Sequence, residues 1–327
     1  MKTKNIVVFL LIFIMSFTIL TGCASNGEQK MRVAIVQPMS HTSLDQIRDT
    51  IVAELGDEYD ITLLNTNGDN SALATVFQNV KSQNIDIVIP IATSAAQSAK
   101  TVFEGSNTPI VFSAVSDPVS AGLTGDDAKN ITGISNNIPA DEIVKLISNF
   151  QPDYSKIGFL YTSSEVNSVS TINAAKAYCD ENGIAYEEAS IAELRDLPTA
   201  VNTLISKGVD ALYTGNDNAI ASAMLVYTDL AYGKKIPVYC GADSMVSDGG
   251  FATIGIDYVE LGKQTAELVK KIAGGEKPFD LPYTVLTEYV RFVNLQAANR
   301  LGLSLSESML EEYEILVEKD GTSHFGK

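Results

Sequence analysis

The chain has 327 residues, with 23 Lys and Arg against 40 Asp and Glu and a formal charge of −17. So acidic a protein, with no Lys/Arg cluster, is a poor partner for nucleic acid, whose phosphates are held by such clusters. Its three cysteines and two histidines show no metal-ligand spacing, so neither a metal nor a cofactor is expected.

The first element is a leader. Lys2 and Lys4 precede an apolar run from Ile6 to Leu20, interrupted only by Ser16 and Thr18. At about fifteen residues it falls short of the roughly 20 that cross a bilayer. Leu20-Thr21-Gly22-Cys23 closes the run with small residues before a cysteine. Residues 1–22 are therefore expected to be a secretory signal, Cys23 the lipidated first residue of the mature chain, and 23–30 a tether. An acylated cysteine holds a domain at a membrane surface without spanning it. The expected location is the outer face of a bacterial cytoplasmic membrane, with the lipid anchor as the membrane contact. Removing the leader leaves 305 residues and a charge of −19, near the size at which a single core divides.

Strand and helix patterns then alternate. Met31–Val36 reads as a strand and Thr42–Leu55 as a helix with Leu44, Ile47, Ile51 and Leu55 on one face. Ile61–Leu64, Ile85–Pro90 and Pro109–Phe112 read as strands, with helices at about 71–82 and at Ser94–Phe103 between them. A second series follows: strands Lys156–Tyr161, Ile184–Glu188, Val209–Tyr213 and Ile236–Cys240, with helices Val166–Asn182, Leu197–Lys207 and about 218–232. Phe251–Ile256 is a further strand and Tyr258–Ala273 a further helix, and short helices are expected near 294–301 and 306–313. Continuous apolar strands alternating with helices predict parallel sheets covered on both faces. The fold class is α/β, with two doubly wound lobes joined by three crossings. The crossings are placed at Thr132–Pro139, Gly249–Thr253 and Thr284–Arg291. Lobe 1 then takes 31–135 plus 252–285, and lobe 2 takes 136–251 plus 286–327.

Ligands of such sheets sit outside the carboxyl ends of the strands, and those ends are small and polar here. Thr93-Ser94-Ala95 follows the third strand and opens a helix, whose free N–H groups suit an anion such as a carboxylate; simple N-capping is the alternative. Ser113 and Ser116 follow the fourth strand, and Asp117-Pro118 reads equally well as a turn. In the second lobe Tyr161, Glu165, Asn167, Asn216, Asp217 and Asp243 lie at or just beyond strand ends. The three acids opposite a carboxylate site suit a zwitterion. Asp217 is equally well a helix N-cap, whereas Asp243, with less local work, is the first choice for an ammonium contact. Phe112, Tyr161, Tyr213 and Tyr258 are available to stack on a planar ligand; core packing is the alternative for each.

Enzymatic readings find less support. No nucleophile elbow or phosphate loop occurs. A two-thiol racemase needs both cysteines at one cleft, and Cys179 sits in a helical pattern away from Cys240. Two buried thiols are expected rather than a disulfide, since no framework of spacings implies one.

Several runs resemble a known family. They are Ile89-Pro90-Ile91-Ala92-Thr93-Ser94-Ala95-Ala96-Gln97, the stretch from Pro109 to Val119, and Asn130-Ile131-Thr132-Gly133. Ile157 to Tyr161 with Glu165 and Asn167-Ser168 continues the match, as do Asp210 to Tyr213, Asp217-Asn218, and Gly255 to Tyr258 with Leu261-Gly262. His41 with Leu44-Asp45 also fits. Together they resemble the substrate-binding lipoproteins of ABC transporters that include tryptophan- and other aromatic-amino-acid-binding members. The resemblance implies a type I periplasmic-binding-protein fold, hinge closure around one small ligand, and delivery to an ABC permease with its cytoplasmic ATPase. It places cleft motifs at Thr93–Ala95, Ser113–Asp117, Glu165 with Asn167, and Asn216-Asp217. Asn216 departs from the pattern, standing where many relatives carry proline. A branched-chain amino acid or a nucleobase-like solute is the alternative ligand, and ligand sensing for a membrane receptor the alternative role. A monomer is the default for such a receptor.

Overall fold

The computed structural model describes residues 30–324. Cys23 and the leader lie outside these residues. Met31–Lys327 forms a compact unit of its own, and its strands fall into two sheets.

The first lobe is built on β1 (Met31–Gln37), β2 (Tyr59–Asn65), β3 (Ile87–Pro90), β4 (Ile110–Ser113) and β5 (Ile131–Ser135). They lie in the order β5-β4-β3-β1-β2, all parallel. Successive residues of a strand point to opposite faces, and here both faces are buried. Val33 and Ile35 of β1 pack with Ile47 and Ile51 of α1 (Thr42–Leu55). Ala34 and Val36 join Phe77 of α2 (Leu73–Ser82) and Ala95, Ala96 and Ala99 of α3 (Thr93–Val102) on the other face. That is why these strands are apolar throughout rather than alternating.

The chain then passes through 136–139 to α4 (Ala140–Phe150) and the second sheet. This lobe holds β6 (Lys156–Thr162), α5 (Val166–Asn182), β7 (Ala185–Ile191), α6 (Leu197–Ser206) and β8 (Ala211–Thr214). They are followed by α7 (Asn218–Ala221), α8 (Met224–Tyr232), β9 (Val238–Cys240), α9 (Asp243–Ser247) and β10 (Ala252–Gly255). The helix expected over about 218–232 is therefore two helices.

A second crossing at 256–257 leads to α10 (Tyr258–Ala273), which returns to the first lobe and packs on α1. The approach is close at Gly262, where a Cβ would stand 2.7 Å from Thr50 Cβ and 3.1 Å from the Ile47 carbonyl. β11 (Thr284–Val285) adds an edge beside β5. The third crossing, 286–289, brings β12 (Val290–Asn294), α11 (Leu295–Leu301), α12 (Glu307–Leu310) and β13 (Glu314–Val317) back to the second lobe. That sheet runs β13-β12-β10-β9-β8-β6-β7, with β10 and β12 antiparallel.

One expected boundary is corrected. Ala252–Gly255, expected in lobe 1, pairs with β9 on one side and β12 on the other. The second crossing therefore follows this strand instead of preceding it. Gly249-Gly250 reads as a linker in sequence but packs inward: a Cβ on Gly250 would lie 2.4 Å from Cys240 Sγ. Cys179 and Cys240 are both buried free thiols.

Candidate functional site

The carboxyl ends of both sheets face each other, and residues beyond seven strand ends line a single space between the lobes. From the first lobe come His41, Ser43 and Leu44 after β1, Ala114 and Ser116 after β4, and Asn136 after β5. From the second come Asn167 after β6, Asn216, Asp217, Asn218 and Ala221 after β8, and Ala242, Ser244 and Met245 after β9. Tyr258, just past the second crossing, completes the wall. With the lobes in this arrangement the space is narrow, leaving about 20 Å³ for the centre of a water molecule, far less than the several hundred Å³ of an open small-ligand site. Its polar groups are amides, hydroxyls, one imidazole and the Asp217 carboxyl, interleaved with Leu44, Met245 and the Tyr258 ring.

The lobes are drawn together. His41 Nε2 lies 3.1 Å from Asn218 Oδ1 across the cleft. Ser43 and Ser244 share a hydroxyl–hydroxyl bond, and outside the cavity Ser170 Oγ donates to the Asp117 carboxylate. At the hinge Asn216 Nδ2 donates to the Asn136 carbonyl at 3.4 Å. A solute enters this space by separation of the lobes.

Backbone conformation marks the same edge. Ala92 after β3 has φ 73° and ψ 160°, and Ala114 after β4 has φ 57°. Positive φ in a non-glycine costs on the order of 1–3 kcal/mol and collects at ligand sites. Both strained alanines stand at neighbouring strand ends, and Ala114 is on the cavity wall. Ala92→Gly is expected to raise stability by about 1 kcal/mol in urea unfolding; a loss of stability would show that the Ala92 Cβ contacts outweigh the strain.

Of the residues singled out in sequence, Ser116, Asn167, Asn216, Asp217 and Tyr258 lie on the wall. Ser116 Oγ donates to Asn136 Oδ1 at 3.0 Å, and Asn167 Nδ2 donates to the Asn216 carbonyl at 2.6 Å. Asp217 is also the N-cap of α7: it accepts from Ile220 N, Thr162 N, Thr162 Oγ1 and Ser168 Oγ at 2.6–2.9 Å. Glu165 stands behind the wall, accepting from Asn218 N, Asn218 Nδ2 and Ala219 N at 2.8–3.0 Å. Burial and the neighbouring Asp217 charge raise its pKa.

Others are placed elsewhere. Tyr161 is half-buried and off the wall, its hydroxyl donating to Glu188 of the edge strand β7 at 3.3 Å. Ser113 is occupied with Thr265 of α10 at 2.9 Å, and Asp117 caps the turn at Ser120 N (2.9 Å). Ser94 leans toward Asn70 at 3.4 Å, and Ala95 is in the first-lobe core. Thr93 is buried, and its Oγ1 has no hydrogen-bond partner. Asp243 is not on the wall, although its neighbours Ala242 and Ser244 are. It is buried, accepts from Ser244 N at 2.7 Å, and is pushed up to about 7, chiefly by burial with added repulsion from Asp257.

Sequence reasoning passed over Ser43, Asn136, Ser244 and Met245. Asn136 sits in a segment read only as a crossing, and Ser43 and Ser244 look like ordinary first-turn residues of their helices. His41 and Asn218 carried a signal only through the family pattern.

The comparisons with known proteins fit this geometry. Residues 32–315 match the model of the ABC transporter substrate binding protein family. The chain belongs to that family. It is similar to a tyrosine-binding protein of Clostridioides difficile, 29% identical over 92% of this chain and 93% of that one. It also resembles a Streptococcus pneumoniae domain solved with L-Trp, at 32% identity, TM-score 0.82, and 88% and 99% coverage of the two chains. A third relative is a Clostridium difficile substrate binding protein in its ligand-free, open form, at 30% identity, TM-score 0.67, and 87% and 98% coverage. At near-equal identity this family member superposes better on the ligand complex than on the open form, in agreement with the cross-cleft bonds. Among the described residues no helix is long and apolar enough to cross a membrane.

Proposed function

We propose that this family member is the substrate-binding lipoprotein of an ABC importer and that it captures an aromatic amino acid by hinge closure. The observation that carries the reading is the convergence of seven strand ends from two sheets on one cavity, whose polar groups, mostly amides and hydroxyls, accompany apolar side chains. The apolar patch of Leu44, Met245 and Tyr258 suits a planar ring, and Ser116, Asn136, Asn167 and Asn216 suit the polar end of the ligand. Relatives that bind tyrosine or hold L-Trp share this chain's family. Ligand touching both lobes favours the closed form over the open one. The closed protein then presents its ligand to a permease driven by a cytoplasmic ATPase, while Cys23 carries the lipid that keeps it at the outer membrane surface.

The approach of a carboxylate to the start of α3 has one support, the buried and unpartnered Thr93 hydroxyl. Thr93→Val keeps shape and removes that hydroxyl. Affinity is expected to fall about tenfold with little change in stability; unchanged affinity would move the carboxylate to the asparagine wall.

A thermal-shift panel of the amino acids, nucleobases and simple sugars tests the ligand class. Native-state binding raises stability by about 2.7 kcal/mol at a hundredfold excess over Kd. Shifts confined to tyrosine, tryptophan or phenylalanine are expected. A shift with leucine or adenine and none with these three would overturn the ligand assignment and leave the fold untouched.

A further inference from the structure

His41 bridges the cleft through Nε2 and Asn218 Oδ1 at 3.1 Å. Its other ring nitrogen, Nδ1, is buried, has no partner in the protein, and belongs to a residue on the cavity wall. Which nitrogen carries the proton decides whether the wall offers the ligand an acceptor or a donor.

The hydrogen-bond chain behind His41 answers this. Glu165 Oε2 accepts from both the backbone N and the side-chain Nδ2 of Asn218, at 3.0 and 2.8 Å. An ionised carboxylate is an acceptor only, and Oε2, held on the fixed Asn218 N–H, stays an acceptor when a proton sits on Oε1, so the amide turns its NH2 toward Glu165 and its Oδ1 toward His41. The reverse orientation would set two oxygens against each other in a buried site. Asn218 Oδ1 also can only accept, so His41 Nε2 must carry the hydrogen. A protonated ring is disfavoured by burial, which lowers its pKa, although the Asn218 bond and Asp45 act the other way. In the neutral ring with hydrogen on Nε2, Nδ1 is a lone-pair acceptor with nothing else to satisfy it.

We propose that His41 determines ligand specificity as a fixed hydrogen-bond acceptor facing the cleft, its tautomer set by Glu165 through Asn218. The inference deepens the ligand reading above and rests on it for the identity of the solute. It assigns the class more narrowly: the ligand presents an N–H or O–H to Nδ1, and an analogue lacking that donor leaves a buried nitrogen unpaired. Glu165, behind the wall, acts here as a positioning residue.

Two measurements test it. The protein has two histidines, so nitrogen-15 imidazole spectra of the chain without residues 1–22, with His324→Gln for assignment, isolate His41. At neutral pH and without ligand, the expected pattern is a neutral ring protonated at Nε2. In Glu165→Ala the acceptor that fixes the Asn218 amide is gone, the Asn218 side chain is free to turn over, and a mixture of the two neutral tautomers is expected. An imidazolium or an Nδ1–H ring in the unsubstituted protein overturns the proposal, as does an unchanged single tautomer in a folded Glu165→Ala protein. The second measurement compares tyrosine or tryptophan with its 3-arylpropionate, which lacks the ammonium group, and with phenylalanine, which lacks the ring donor. One of these losses is expected to cost about tenfold or more in affinity in the unsubstituted protein and nothing in His41→Phe. Equal losses in both proteins contradict the acceptor role. If no aromatic amino acid binds at all, the ligand reading fails, while the spectra still decide the tautomer.

Discussion

Asp217→Ala is expected to destabilise the protein by about 3–5 kcal/mol, read as a shift in the urea midpoint at constant m. Its carboxylate accepts from two backbone N–H groups, Thr162 N at 2.6 Å and Ile220 N at 2.9 Å, and from two hydroxyls. Hydroxyls can rotate to new acceptors, whereas the N–H groups are fixed by β6 and α7. Each buried donor left unpaired costs about 1–3 kcal/mol, and loss of an N-cap adds about 1. Relief of repulsion with Glu165 works in the opposite direction. It is the smaller effect, because Glu165 keeps its own three bonds from α7 and can take up a proton. A loss below 1 kcal/mol would mean that water reaches these donors. Because Asp217 joins β6, α5 and α7, the variant is also expected to loosen the wall at Asn167, Asn216 and Asn218 and to weaken ligand capture.

Asp243→Asn is expected to do the reverse, stabilising the protein at pH 8 by roughly 2–4 kcal/mol. The buried Asp243 carboxyl has its pKa raised from 3.8 to about 7. Its folded form therefore holds a proton between about pH 4 and 7 where the unfolded chain has released it. For a group raised in this way, stability is fully present below the unfolded pKa and is lost as pH rises through the folded pKa. The unsubstituted protein is thus expected to become more stable as pH falls from 8 toward 5, and Glu165, whose pKa is also raised, adds to the same slope. Asparagine keeps an acceptor for Ser244 N and carries no charge, so the slope in Asp243→Asn should flatten. A steep slope retained in the variant would assign it to Glu165 and the general charge of the chain. Ligand affinity should be unchanged in Asp243→Asn. Loss of two orders of magnitude, the scale of a severed buried charge pair, would restore Asp243 as an ammonium contact.

These two acids show where sequence reading succeeds and stops. Asp217 sits between a strand end and a helix start, and both roles expected for it, cap and cleft residue, describe its position. Asp243 sits in the same kind of place, yet its side chain turns off the wall. Asp, Asn and Ser serve caps and ligand sites alike, and residue type does not say which way a strand-end side chain points. Tyr161 fails for that reason, whereas Ser116, Asn167 and Asn216 are on the wall. The alternation of strand and helix was legible because parallel strands buried on both faces are apolar without interruption. β12 and β13 left weaker patterns, β12 because Arg291 and Asn294 interrupt its apolar run and β13 because it is a four-residue strand at the sheet edge. β10 was readable as a strand but not as a member of the second sheet, since strand order is a long-range property.

The most direct measurement is calorimetric titration of the protein without residues 1–22 with L-tyrosine and L-tryptophan at neutral pH. Saturable one-to-one binding of at least one of them, with a negative heat-capacity change from burial of the ring between the lobes, is the result expected. The absence of binding heat for either, at two temperatures and with a folded protein, would contradict the aromatic amino-acid reading.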